Sequence, residues 1–275
     1  MSAAFRRAAA AARTVGGEAA ALAGHLLRYP AGIPQERWQD VPPAAGAPDG
    51  PTAALHPSPG PVLLVHGFID NRSVFTALRR SLERDGGHRV HALNHSPLTE
   101  DVRSAAALLG RRVEQVRRLH GCGRIALVGH SLGGLIGRYY VQRLGGDEHV
   151  HSLVTLGSPH GGTLAARLPS PLPITRQLRP DSDLIAELRE PAPGCRTRFA
   201  AFWSDADQVI LPSRFARLDH PDLAAENVLV PGAGHLALTV HADVAAGVGR
   251  FLEARLTSDD GSVRAAPPPP DRLSA

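Results

Sequence analysis

Ser131 stands between two glycines in the run Ile125-Ala126-Leu127-Val128-Gly129-His130-Ser131-Leu132-Gly133-Gly134-Leu135, a setting in which a hydroxyl can act as a nucleophile. An apolar strand leads into Gly-x-Ser-x-Gly and a helix follows directly. The serine is thereby held on a tight strand-to-helix turn, where glycines at both sides let the backbone approach closely. The helix start aims free N–H groups and a positive dipole at the same point, which favours an anionic tetrahedral intermediate. Both features suit acyl transfer. An unassisted hydroxyl is scarcely ionised at neutral pH, so the chemistry also needs a base within hydrogen-bond reach.

When a serine sits on such an elbow, the acid and then the histidine follow it in chain order. Val228-Leu229-Val230-Pro231-Gly232-Ala233-Gly234-His235 is a strand ending in a glycine-rich loop that presents His235. His241, inside the next helix, is the weaker rival. The acid, which fixes the imidazole tautomer and stabilises the imidazolium, is expected after the apolar run Phe199 to Trp203. Two aspartates stand there, Asp205 and Asp207, and spacing alone does not choose between them. Val62-Leu63-Leu64-Val65-His66-Gly67-Phe68 is a further strand running into a turn. Its loop supplies one backbone N–H, assigned to Phe68, and Leu132 supplies the second, forming an oxyanion hole.

These groups need a scaffold that brings four loops to one place. Short apolar runs mark buried strands near 62–66, 88–93, 124–129, 151–156, 198–203 and 226–230. Longer stretches of 3.6 period mark helices near 72–85, 100–119, 132–144 and 240–255. The alternation predicts an α/β chain with a doubly wound, mostly parallel sheet flanked by helices, whose ligands bind outside the carboxyl ends of the strands. One domain of this kind is expected over 61–257, within the size a single core can reach. Residues 1–60 read as an alanine-rich helix over 1–28 followed by a proline-rich arm, and 258–275 as a disordered tail. In 163–195 the chain spends more than thirty residues between two strands, a long connection for a compact unit. Leu184, Ile185 and Leu188 form one face of a short helix capped near Asp181 or Ser182. That face is either an apolar wall over the site, part of a lid or cap, or the ordinary crossover helix buried on the sheet.

Taken together, His66-Gly67-Phe68, Gly129-His130-Ser131-Leu132-Gly133-Gly134 and Thr155-Leu156-Gly157-Ser158-Pro159-His160-Gly161-Gly162-Thr163 resemble bacterial triacylglycerol lipases and esterases of the α/β-hydrolase superfamily. The likeness spans about 60–255. It implies the α/β-hydrolase fold, a carboxylic-ester hydrolase activity on an acyl or lipid ester, and Asp207 as the acid beside Ser131 and His235. His130 and His160 border the implied pocket, where each is a candidate substrate contact and equally a structural residue. The same triad serves acyltransferases and thioesterases, and the fold also carries non-catalytic binding proteins.

Composition narrows the partners. All 30 basic residues are arginine against 26 acidic ones, for a net charge of +4. Pairs such as Arg111-Arg112 and Arg117-Arg118 read as solvated helix faces, so no nucleic acid is expected. His88, His91 and His95 lie on opposite strand faces without a carboxylate partner, so neither metal nor cofactor is expected. Two cysteines, Cys122 and Cys195, are too few for a disulfide scaffold. Arg13 and Glu18 interrupt any signal-peptide core near the start, which favours a cytoplasmic or membrane-peripheral monomer. Leu22, Leu26 and Leu27 give the first helix an apolar edge that could pack on the domain or rest on a membrane, packing being the commoner outcome.

Overall fold

A computed structural model describes residues 3–36, 60–96 and 101–254. The expectations for the arm at 37–59 and the tail at 258–275 fall outside them. Among these residues, six strands form one sheet: β1 (Val62–Val65), β2 (Val90–Leu93), β3 (Ile125–His130), β4 (Val150–Leu156), β5 (Arg198–Trp203) and β6 (Ala224–Leu229). Their order is β2-β1-β3-β4-β5-β6, and every neighbouring pair is parallel. The strands β1 to β4 are buried at every residue, as expected of a parallel sheet covered on both faces. The edge strand β6 is the partly exposed one.

Among the described residues, seven α-helices accompany the sheet: α1 (Ala3–Gly32), α2 (Thr76–Arg84), α3 (Val102–His120), α4 (Leu132–Arg143), α5 (Ile174–Gln177), α6 (Asp183–Glu187) and α7 (Ala242–Glu253). Leu109 and Val113 of α3, Leu135 of α4 and Ile185 of α6 pack in the core on one face of the sheet. On the other face lie Leu78 and Leu82 of α2 with Val244 and Val248 of α7. The chain order reverses between β1 and β3, the switch point at which doubly wound sheets open a crevice for ligands.

Two sequence expectations change. The first helix does not stop at residue 28 but runs through Pro30 to Gly32. Its last carbonyls find partners elsewhere: Asn71 Nδ2 donates to Tyr29 O (2.9 Å), Arg72 to Ala31 O (3.2 Å) and Asn94 Nδ2 to Gly32 O (2.7 Å). With those orphan acceptors satisfied, the end of the helix is held in place. Nor does the apolar edge of α1 pack on the domain. Leu22, Leu26 and Leu27 are 48%, 59% and 84% exposed, whereas Thr14, Ala21 and His25 are buried. Beneath α1 lie the helical turns at Arg72–Phe75 and Ala237–Thr239, and the helix meets this side of the domain through Thr14, Glu18, Ala21 and His25.

In the 163–195 stretch, Ser182 caps α6 by accepting from Ile185 N, and Leu184, Ile185 and Leu188 are buried in the core with α4. They form the crossover rather than a wall. Leu164 and Leu168, earlier in the stretch, are exposed. Cys122 and Cys195 are not joined in a disulfide, and each is half-buried.

Candidate active site

Ser131 follows β3 directly and takes φ 51° and ψ −121°, a conformation that costs a non-glycine residue about 1–3 kcal/mol. Its surroundings hold it there. A Cβ at Gly133 would lie 2.1 Å from Val65 O, and one at Gly129 would lie 2.4 Å from Gly134 Cα, distances at which nothing but hydrogen fits. Ser131 N donates to Leu156 O at 2.9 Å, tying the turn to β4. The N–H of Leu132, first in α4, has no acceptor among the described residues, and the same holds for the N–H of Phe68 in the turn after β1. Gly67 brings that turn against the elbow: a Cβ there would lie 3.0 Å from Ser131 Cβ.

Asp207, after β5, and His235, after β6, are joined by a bond of 2.8 Å between Nδ1 and Oδ2. An ionised carboxylate only accepts, so Nδ1 carries the hydrogen and Nε2 is left as the ring's acceptor. The other oxygen, Oδ1, accepts from Val209 N (2.8 Å) and Ile210 N (2.9 Å). Burial pushes the Asp207 carboxyl upward, but its contact with His235 and these two amides outweigh that and leave it below the ordinary range. Asp205 does something else: it accepts from Gly232 N at 2.8 Å. His241 caps α7 and is not joined to either aspartate by a described bond. Among the described residues no hydrogen bond joins Ser131 Oγ to His235, a looseness common in unliganded sites.

His130 is buried with its ring centroid 4.9 Å from that of His235. Its Nε2 lies 3.3 Å from His235 O, and its Nδ1 lies 3.4 Å from Asp70 Oδ2 without the alignment of a hydrogen bond. His160 is also buried and is bonded through Nε2 to Thr155 Oγ1 (3.0 Å). Burial, reinforced by the Arg138 charge, drives its pKa well below the usual histidine value, so it is a neutral ring built into the protein interior.

Three contributors were not legible from local sequence. Of the neighbours Asp70 and Asn71, Asn71 caps the turn that follows, accepting from Ser73 N at 2.9 Å. Asp70 instead faces His25 Nε2 (3.2 Å) and His130. Burial acts to raise the Asp70 pKa, but the contacts with the two histidines outweigh it and hold the carboxyl far below the ordinary range. His95 stacks on His66 at 4.0 Å between centroids and donates its backbone N–H to His66 Nε2 (3.2 Å). His66 Nδ1 in turn donates to Gly67 O (2.9 Å), which fixes the ring at the base of the Phe68 turn. The third, Glu18 on α1, lies against the histidine loop.

Residues 60–180 match the family model described as alpha/beta hydrolase fold. Among solved structures the chain is similar to the Bacillus licheniformis lipase BlEst2 in its mature form, at 16% identity and a TM-score of 0.60, over 80% of this chain and 96% of that one. It is similar to Aspergillus fumigatus lipase B at 15% identity and a TM-score of 0.63, over 80% of this chain and 59% of that one. The product of the Listeria innocua gene lin2722 matches at 17% identity and a TM-score of 0.54, over 70% and 93%. With its all-parallel sheet, this chain has the α/β-hydrolase fold, and lipases are among its structural relatives. At such identities the likeness establishes architecture, and activity has to be argued from the site.

Proposed function

We propose that this chain is a serine carboxylic-ester hydrolase of the lipase/esterase kind. The observation that carries the reading is convergence: a strained serine, a histidine bonded to a buried carboxylate, and two backbone N–H groups with no acceptor among the described residues all stand at the carboxyl edge of one sheet. His235 Nε2 takes the proton as Ser131 Oγ attacks the ester carbonyl. Asp207 holds the imidazole and stabilises its charge, while the N–H groups of Phe68 and Leu132 receive the oxyanion. The alkoxide leaves with the proton from His235. Water, activated by the same histidine, then releases the acid and restores the serine.

Exposed apolar side chains support an acyl or lipid ester as substrate. Val209 and Leu211 follow the acid, and Leu164 is tied to them through Leu164 N to Leu211 O at 2.8 Å. The exposed leucines of α1 extend the proposal to peripheral contact with a lipid surface through residues 1–28. No described helix is long and apolar enough to cross a membrane.

A fluorophosphonate probe tests the core of the reading: wild type is expected to be labelled at Ser131 and Ser131→Ala to remain unlabelled. Labelling elsewhere, or none on folded protein, overturns it. Product analysis with and without an added alcohol separates hydrolysis from acyl transfer on the same acyl-enzyme. A series of p-nitrophenyl esters from acetate to palmitate then reads the pocket. Each methylene that is buried contributes up to about 0.8 kcal/mol until the pocket is full.

A further inference from the structure

The loop that carries His235 is held from the opposite end of the chain. Glu18, on α1, spreads its carboxylate over that loop: Oε1 accepts from Leu236 N (2.8 Å) and Oε2 from Ala237 N (2.9 Å). Four residues earlier, Thr14 Oγ1 donates to Gly232 O at 2.8 Å. The loop is cut to receive the carboxylate. A Cβ at Gly234 would lie within 2.2 Å of Glu18 Oε2, so the glycine just before His235 makes room for Glu18.

Seven residues further along the helix, on nearly the same face, His25 meets Asp70, and Tyr29 Oη donates to Ile69 O at 2.9 Å. Ile69 has φ 61°, a conformation disfavoured for a β-branched residue, and it immediately follows Phe68. One helix therefore spans the two loops that must converge on a tetrahedral intermediate. It lies outside the segment 60–180 that matches the family model.

We propose that α1 is a positioning element for the reaction, with Glu18 a positioning residue for His235 that acts through the amides of Leu236 and Ala237. The inference rests on the ester-hydrolase reading above. Two charge-assisted bonds to consecutive amides fix the two peptide groups that follow His235. The Asp207 bond fixes the ring at its other end. Together they leave Nε2 one place to point. Without the carboxylate, the ring keeps its acid partner but the backbone beneath it gains freedom. Misplacement by about 1 Å at such a site can cost as much as 10²-fold in turnover.

The test compares full-length wild type with Glu18→Ala and Glu18→Gln. Amide hydrogen exchange reads the clamp without requiring activity: Leu236 and Ala237 should exchange faster in Glu18→Ala. In Glu18→Gln, which keeps one acceptor oxygen, exchange should be intermediate. On a short p-nitrophenyl ester, Glu18→Ala is expected to lower kcat by about ten- to a hundredfold with KM within about twofold, and Glu18→Gln to recover part of the loss. Ala19→Gln, at an exposed position of the same helix, should leave kcat at the wild-type value. Unchanged exchange at both amides overturns the clamp. Faster exchange with wild-type kcat, or a rise in KM at unchanged kcat, overturns the positioning role. If wild type itself neither turns over ester nor accepts the phosphonate, the hydrolase reading has failed, and the exchange result still reports on the clamp.

Discussion

The elbow and the histidine loop meet at one site but are held by opposite means. Ser131 is fixed by steric exclusion: Gly129 and Gly133 stand two residues to either side of it, and the carbonyls of Val65 and His66, which the sheet brings alongside, leave no other path. His235 is fixed by hydrogen bonds that reach across the sequence, to Asp207 at a separation of 28 residues and, through Leu236, to Glu18 at 218. Steric fixation is all or nothing. Fixation by polar contacts is graded, since each bond has a modest net worth and can be lost singly.

The largest effect is therefore expected from breaking the elbow. Gly133→Ala places a methyl group 2.1 Å from Val65 O and 2.5 Å from His66 O, and backbone cannot give way as a flexible side chain can. We expect no soluble folded protein, or a drop in melting temperature large enough to abolish activity at 37 °C. A folded, active Gly133→Ala would show that the elbow is not sterically fixed.

The next largest effect separates the two aspartates. Asp207→Asn is expected to lower kcat by about 10³–10⁴, because an amide can present its N–H to Nδ1 and favour the wrong tautomer. Asp205→Asn, which retains an oxygen for Gly232 N, should stay within about tenfold. Steady-state kinetics on one soluble ester decides between them, and the reverse ranking would move the acid to Asp205.

The same contrast explains what could be read in advance. Six strands and the helices after them were legible because buried parallel strands are short apolar runs and their crossovers carry a 3.6 period. The elbow was legible because its demands are local. Asp207 could not be chosen over Asp205 by spacing, since two residues apart on a loop either can turn inward. The histidine loop's glycines were legible as a turn but not as a seat for Glu18, because no local pattern records a partner 218 residues away. The docked face of α1 was misread for a related reason: its leucines suggest packing, but the bonds that hold it are polar ones to residues far along the chain.

Acidification should loosen the two regions in sequence. Burial, then the neighbouring His95, lowers the pKa of His66 to about 3, and His160 is likewise held well below the usual value. Both are neutral in the fold, while in the unfolded chain they take up protons near their ordinary value of about 6.5. The unfolded state thus binds more protons below that point, and the stability these rings contribute, complete above about pH 6.5, declines as pH falls. Asp70 and Asp207 behave as depressed carboxyls: their contribution persists down to about pH 4 and is lost below it. Melting temperature should fall first between about pH 6.5 and 4.5, with a second decline under pH 4. A flat profile between pH 7 and 5 would mean that the histidines around the elbow are not held neutral.

The smallest effect on stability is expected on the outer face of α1, and its smallness is informative. Val15, Leu22 and Leu26 recur at the spacing of one helical stripe, and all three are exposed. Because the helix is held by Thr14, Glu18 and His25, removing leucines from the stripe deletes nothing that the fold uses. Leu22→Gln with Leu26→Gln should leave melting temperature and turnover of a soluble ester near wild type, a change within about 0.5 kcal/mol. Apolar area that meets no protein still gains from leaving water when a lipid surface is present, at roughly 25 cal/mol per Å². Arginines such as Arg13 and Arg28 on the same helix would add attraction to anionic headgroups. Wild type should therefore sediment with vesicles containing anionic lipid and the double variant should remain in solution, the two proteins being alike in every assay that lacks lipid. Equal sedimentation would remove the lipid role of α1 and leave the helix as a clamp alone, whereas a large loss of stability would mean that the stripe packs on the protein after all.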